Sequence, residues 1–515
     1  MSVDSKVVCF EYLLSEKPRN GLYKNKDFQG RGSRWIKMSD VYGKEFLDSQ
    51  ETELIEVDEG EIDKFGCKEG DLLFGRTSLN LEGIGDCILV MYVEDVPIFE
   101  SNLFRVRFDR NKAYPLFYYY YFKSNFGRQA IQGIAKQTAA TSITSSDFVK
   151  LQVPYVSLDY QIKVADILYR FDEKIQLNRQ INQTLEQMAQ AIFQSWFVDF
   201  EPVKAKIATR QDWLARQAAQ SDAHDDAPQF SSPVCYAHEF ADAAAPAPAT
   251  QADLETFMNR AAMCAISGKT DADLDAMPAA DYQRLYHTAS LFPDELVESE
   301  LGEIPKGWEV GSLKSLCVRI ESGGTPKRTE PNYWGGDVKW LTSGEVRESL
   351  VFDTKEKISL DGLSNSSAKL WPKYTTVIAM YGATAGQICL LLEEMSANQA
   401  CCGLIPYEYS ESFLYLNSLS ASSDLASKAS GSAQQNLNKG LIENHKVLNP
   451  DIAVLSVFQE TVGVFFSESE SMVRNIQVLS DIRDSLLPKL LSGELDISAL
   501  TDLSDNAAEP GAAHD

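Results

Sequence analysis

No run of about eighteen apolar residues occurs in the 515-residue chain, so nothing in it reads as a membrane-spanning helix. The opening MSVDSKVVCFEYLL has no basic segment followed by an apolar core, and no secretory leader is expected. The nine cysteines (Cys9, Cys67, Cys87, Cys235, Cys264, Cys317, Cys389, Cys401 and Cys402) are scattered, odd in number and never spaced as CxxC. That pattern argues against a zinc ribbon or a disulfide framework. The five histidines are isolated as well. We expect a reduced, cytoplasmic setting and no metal site.

Catalytic motifs are scarce too. Neither HExxH nor GxSxG occurs. ISGKT (266–270) ends like a phosphate-binding loop, but Met263 stands where its first glycine belongs, so the backbone cradle is missing. EGIGD (82–86) is too short and too acidic for a dinucleotide fingerprint. NPDI (449–452) and DFEP (199–202) lack the second proline and the aromatic ring with which amino-methyltransferases grip a flipped base. No catalytic residue is expected in this chain.

Positive charge is also in deficit, with a net charge of −26. The deficit is unevenly spread. Residues 201–304 carry 18 acidic and 7 basic side chains, and the stretch from Glu494 onward carries 6 acidic and none basic. These two stretches hold −17 of the −26. The field at a binding face depends on charges within a Debye length, about 8–10 Å, so the mean charge weakens a nucleic-acid reading without excluding it.

What the chain does have is an internal repeat. GSAQQNLNKGLIENHKVLNP (431–450) matches QTAATSITSSDFVKLQVP (137–154) at an offset of 294 residues. Leu437 then falls on Ile143, Ile442 on Phe148 and Val447 on Val153. The same offset aligns the helical segments YPLFYYYYFKSNFGRQAI (114–131) and FLYLNSLSASSDLASKAS (413–430). RWIKMSDV (34–41) resembles KWLTSGEV (339–346), and DLLFGRTSLNLEGIGDCILV (71–90) and TTVIAMYGATAGQICLLL (375–392) both read as strand, Gly-rich turn, strand. A period of about half the chain implies a duplicated mixed α/β domain, not a solenoid.

A long helical pattern follows each copy. Ile175, Asn178, Ile181, Leu185, Met188 and Ile192 step by three or four through 161–197, a narrow seam of coiled-coil type. About 37 such residues would make a rod of roughly 55 Å. Met472, Ile476, Leu479, Ile482 and Leu486 repeat the pattern in 458–495, where Pro488 should kink or interrupt the helix and Gly493 should stop it. The Ala/Pro/Asp-rich stretch 203–300 reads as a loosely folded insertion with short helices at LETFMNRAAMCAI and DADLDAMPAADYQRLYHTASLF.

The domain organisation expected is therefore 1–155, first mixed domain; 156–202, first long helix; 203–300, acidic insertion and linker; 301–450, second mixed domain; 451–495, second long helix; and 496–515, a disordered acidic tail.

Each copy carries polar and basic groups suited to base edges and phosphates. In the first these are Arg31, Arg34 and Lys37 before a strand, Arg76, Thr77, Ser78 and Asn80 on a turn, and Lys136, Gln137, Thr141, Ser142 and Thr144 on the polar loop. In the second they are Lys327, Arg328, Tyr333, Trp334, Lys339, Thr342, Ser343 and Arg347, then Thr384 and Gln387, then Gln434, Gln435, Asn436, Asn438 and Lys439. Loops of this composition are more often ordinary turns. Here the loops recur at matching places while their contact-capable residues differ, as in two readers of different words.

SGGTPKR, YWGGDVKWLTSGEV, GATAGQI, GSAQQNLNKGLIENHKVLNP, SWFVDFEPV, LFPDELVESELGEIPKGWEV and LLPKLLSGEL together resemble specificity subunits of type I restriction–modification enzymes. The resemblance covers nearly the whole chain except about 207–260. It implies two target-recognition domains in a pseudo-two-fold arrangement, joined by two long antiparallel helices that fix the gap between halves of a split, asymmetric double-stranded DNA target. It also implies two methyltransferase subunits and restriction (translocase–endonuclease) subunits as partners. S-adenosylmethionine, ATP and Mg2+ would then be used on those partners, with no cofactor on this chain. Ile181, Leu185, Met188, Ile192, Phe193, Trp196, Phe197, Ile476, Leu479, Ile482 and Leu486 are the candidates for helix pairing and subunit docking. Two alternatives stay open: a specificity subunit of a related restriction system with different cutting geometry, and a bilobal scaffold, suggested by the acidity and the aromatic run Tyr118–Phe122.

Overall fold

The computed structural model describes residues 6–42, 46–47, 52–91, 95–137, 141–222, 250–430 and 436–495. Two compact units partition the chain, one of Met1–Asn178 with Asn475–Asp515 and the other of Arg179–Arg474.

In the first unit the strands with continuous apolar runs lie at the centre. Leu72–Gly75 and Cys87–Val90 are buried at every residue, the mark of strands covered on both faces. They belong to a five-stranded sheet ordered Arg19–Asn20, Leu103–Val106, Leu72–Gly75, Cys87–Val90, Phe46–Leu47. A three-stranded sheet joins Glu53–Ile55, Gln29–Ile36 and Ile98–Phe99, and Lys6–Cys9 pairs antiparallel with Gln152–Tyr155. The helix Pro115–Lys123 opens with proline at its first turn and is buried from Pro115 to Phe122. Its aromatic run is core, which removes one of the two features that suggested a bilobal scaffold. Tyr118 Oη donates to the Pro154 carbonyl (3.0 Å), and Phe10, Phe74, Phe104, Phe122 and Phe148 pack around one another.

The second unit repeats this plan strand for strand. Cys317–Ser322, Cys401–Pro406, Thr376–Ala379, Ile388–Leu391 and Leu350–Val351 form a sheet in the same order, with the last strand parallel to its neighbour in both units. Glu356–Ile358, Trp334–Leu341 and Ser396–Ala397 form the three-stranded sheet, and Glu309–Ser312 pairs with Lys446–Asn449. The repeat extends to single hydrogen bonds. Ile143 N donates to Arg76 O (3.0 Å), as Leu437 N donates to Met380 O (2.8 Å). Ile143 and Leu437, Phe148 and Ile442, and Val153 and Val447 are all buried.

The long helices run Leu158–Phe193 and Ile452–Ser492. Val164, Ala165, Leu168, Leu487, Leu490 and Leu491 join the first unit's core. There the chains run antiparallel: Tyr160 Oη donates to Leu490 O (2.9 Å), and Arg483 Nη1 meets Asp172 Oδ1 (2.5 Å). Tyr120 Oη also donates to Asp172 (2.6 Å), so this carboxylate, 2 % exposed, is held by two donors.

Pro488 does not interrupt the second helix, which continues to Ser492 and stops at Gly493 with φ 75°. Burial of the flanking Leu487, Leu490 and Leu491 holds the turn against the lost N–H. The apolar seam is thinner than expected. Ile175 is buried, Ile181, Leu185, Ile192, Met472, Ile476, Leu479 and Leu486 are half-buried, and Met188 and Ile482 are exposed. Asn178 is buried within it, with neither amide atom bonded.

Phe193, Trp196 and Phe197 are buried in the second unit's core with Phe413 and Phe458. Their role is intramolecular packing, since buried rings present nothing to a partner. After a π-turn at Gln194–Val198, Phe200 adopts φ 53° and a new helix starts at Glu201.

The insertion is ordered over most of its length, contrary to a loosely folded reading. Glu201–Asp222 packs against Gln251–Ser267. Ala262, Met263, Leu274 and Ala289 form a small core of their own. Its aspartates build structure: Thr250 with Asp253 and Thr270 with Asp273 make capping boxes, and Arg260 pairs with Asp271 (2.7 Å) and Asp275 (2.8 Å). Residues 223–249 and the tail from 496 lie outside the described residues.

Removing Arg483 would strand a buried carboxylate. Arg483→Leu is expected to destabilise the chain by about 3 kcal/mol in urea denaturation, and the double variant Arg483→Leu/Asp172→Asn should recover part of that loss.

Candidate nucleic-acid interface

The fold gathers two of the three polar sets in each unit. In the first, Thr77–Ser78, Thr141–Ser142 and Lys136–Gln137 form a small antiparallel sheet, with Thr141 opposite Ser78. In the second, a bridge between Tyr381 and Asn436 joins the corresponding turn and loop. Arg76 ties the first of these assemblies to the next turn, donating from Nη1 to Ser101 O (3.0 Å). Arg31, Arg34 and Lys37 lie on and just after the neighbouring strand Gln29–Ile36.

Most of the candidate cations already have carboxylate partners. Arg31 pairs with Glu56 (2.7 Å), Arg34 with Asp95 (2.6 Å), Lys37 with Glu53, and Lys136 with Asp147 (2.9 Å). Arg328 grips Glu356 (2.6 Å) while stacking on Trp334 at 3.7 Å, and Lys439 pairs with Glu443 (3.3 Å). The Lys136 contact holds the Asp147 carboxyl below its usual range, and the Arg328 contact does the same for Glu356. Lys339 donates to Phe352 O (2.7 Å) and lies over the Phe352 ring. Lys327 and Arg347 are exposed and form no ion pair among the described residues. Exposed pairs are worth only about 0–1 kcal/mol, so a polyanion could exchange the Arg31 and Arg328 partners cheaply.

Several candidates turn out to build turns. Asn80 accepts from Gly83 N (2.8 Å), and Thr342 bonds Glu345 (2.7 Å). Thr144 and Asn438 are helix N-caps at matching positions. Thr141 and Thr384 are buried, Thr384 donating to Tyr381 O at 3.4 Å. Gln387 buries its Oε1 without a partner among the described residues. Ser78, Ser142, Tyr333, Ser343 and Asn436 are half-buried, and Thr77 is exposed. Gln434, Gln435 and the Gln137 side chain lie outside the described residues. Two surface residues were missed from sequence, Leu79, fully exposed, and Tyr381, 40 % exposed, both on the matching turns. Matching the two turns against each other would have found them.

Among the described residues no cluster of His, Cys, Asp or Glu is placed to hold a metal ion, and no helix is long and apolar enough to cross a membrane.

Comparison with known proteins accounts for the duplication. The type I restriction modification DNA specificity domain matches twice, at residues 14–187 and 305–460. The HindI specificity subunit of Haemophilus influenzae is 29 % identical over 94 % of this chain and 99 % of its own length. The MjaIX specificity subunit of Methanocaldococcus jannaschii is 20 % identical over 93 % and 90 %. The solved S subunit from M. genitalium gives a TM-score of 0.47 at 14 % identity, over 95 % of this chain and 96 % of that one. On the sequence matches, the chain belongs to the type I restriction–modification DNA specificity family and is a specificity subunit of such a system.

Proposed function

We propose that the two modules read the two halves of a bipartite, asymmetric double-stranded DNA target, with the paired long helices setting the gap. One observation carries this. Strand order and hydrogen-bond register repeat, while the side chains at matching surface positions do not. Shared positions are structural: Trp35 and Trp340, Glu53 and Glu356, and Asp40 and Glu345, each of the last pair accepting from a backbone N–H at 2.9 Å. Differing surface positions are Gln29 and Trp334, Arg34 and Lys339, and Thr77 and Tyr381. Unlike side chains on one scaffold are what two different half-sites require.

In this reading the chain is a non-catalytic recognition component. Adenine methylation and ATP-driven translocation and cleavage belong to two methyltransferase subunits and to restriction subunits, which carry S-adenosylmethionine, ATP and Mg2+. Met188 on the first long helix and Ile482 on the second are each exposed, and each is a place where such a partner could still bury apolar surface. The related system with different cutting geometry differs in whether a translocase subunit joins the complex.

Co-expression with the cognate methyltransferase, followed by sequencing of modified bases, should show adenine methylation in two short motifs separated by a fixed gap. Exchange of residues 307–450 for another reader should change one half only; a change in both, or no split motif, contradicts the two-reader arrangement. Glu56→Gln should free Arg31 for phosphate, steepening the salt dependence of DNA binding by about one counterion. Fluorescence anisotropy across a salt series measures that slope.

A further inference from the structure

A cleft of about 410 Å³ opens in the first module between the Leu22–Gln29 segment, Trp35 and the turn at Glu100–Asn102. Trp35 lines it, 5 % exposed, and its indole N–H is buried without a hydrogen-bond acceptor among the described residues. The second module shows where that N–H points. Its counterpart, Trp340, donates to the Gly324 carbonyl at 3.0 Å. Gly324 corresponds to Leu22, because Leu22 N bonds Phe99 O and Gly324 N bonds Ala397 O, both at 2.8 Å. Leu22 lines the cleft, so the matching carbonyl, that of Leu22, lies at the edge of the cleft.

The second module carries a larger side chain at the matching position. Trp334, the counterpart of Gln29, packs edge-on against Trp340 with ring centroids 5.0 Å apart, and Arg328 stacks on Trp334. Gln29 has no ring and lines the cleft.

The lining suits a neutral, hydrogen-bonding ring better than a phosphate. Lys24 is bound to Glu61 (2.6 Å), and the lining holds one further lysine, Lys26, and one carboxylate, Glu100. Asn25, Gln29 and Asn102 each offer both donor and acceptor atoms, and Tyr23 stands 76 % exposed at the margin.

We propose that this cleft takes one nucleobase of the first half-site, turned out of the helical stack, with a ring nitrogen or carbonyl oxygen accepting from the Trp35 indole N–H and the ring lying against Tyr23. A stacked base shows only its edge in a groove, whereas a concave cleft takes a whole ring. The donor is closed to water in the free chain, so the Leu22–Gln29 segment shifts as the base enters. This inference rests on the two-reader function.

Its test uses the chain complexed with its methyltransferase. 2-Aminopurine is placed at successive positions of the first half-site, leaving the methylated adenine intact. One position should brighten severalfold on binding. Gln29→Trp, which copies the second module, should abolish that signal and cut modification of targets roughly tenfold through the first half alone. Tyr23→Ala, on an exposed side chain, should dim the same position without unfolding the domain. Identical fluorescence and motifs for wild type and both variants would overturn the cleft and leave the two-reader function standing. No split motif from the wild-type complex would instead remove that function, and the cleft with it.

Discussion

The buried anchoring of the long helices is the constraint on which the recognition surface depends. In the first unit the terminal leucines Leu487, Leu490 and Leu491 are core residues, and Asp172 is held between Arg483 and Tyr120. In the second, Phe193, Trp196, Phe197 and Phe458 are core residues in the same way. A helix that supplies part of a domain's interior cannot slide or rotate without opening that interior, because cores are packed to crystalline density. Each reader is therefore fixed to the helices that pass through it, and its loops inherit their orientation.

On that mount the chemistry is economical. Most candidate cations are neutralised by a carboxylate from a neighbouring strand or loop, which is how an acidic chain would carry the proposed DNA-facing surface. The exposed pairs cost little to exchange for phosphate, and free charge does not accumulate where DNA is absent. The repeated Trp–cation–carboxylate arrangement, Trp35 with Lys37 and Glu53 against Trp340 with Arg328 and Glu356, is built from different cations in the two modules. The scaffold is thus kept while the surface over it changes, down to Gln29 beside the cleft where the second module has Trp334.

Much of this was legible in the sequence. The polar loop and the strand after it keep one offset through Ile143 and Leu437, Phe148 and Ile442, Val153 and Val447, because all six side chains are buried in equivalent places. The match is weaker near Trp35 and Trp340, where loop lengths change the offset and only hydrogen-bond register restores it. The insertion was misread because its aspartates look like a solvated, disordered composition, whereas four of them cap helices or grip Arg260. Pro488 was overvalued for a similar reason: its local penalty is real, but burial of three adjacent leucines outweighs it.

The sequence by itself determined the duplication, the mixed α/β class of each copy and the two long helices. Those follow from periodicity and composition, which act along the chain. Only tertiary structure decided which polar residues are free to meet a ligand. Thr144, Asn438, Thr342 and Asn80 bond to backbone or side-chain groups a few residues away, while Arg31, Arg34 and Lys37 meet carboxylates brought in from distant positions. The cleft beside Trp35 is likewise invisible in one dimension. It exists because segments far apart in sequence, 22–35 and 100–102, meet there.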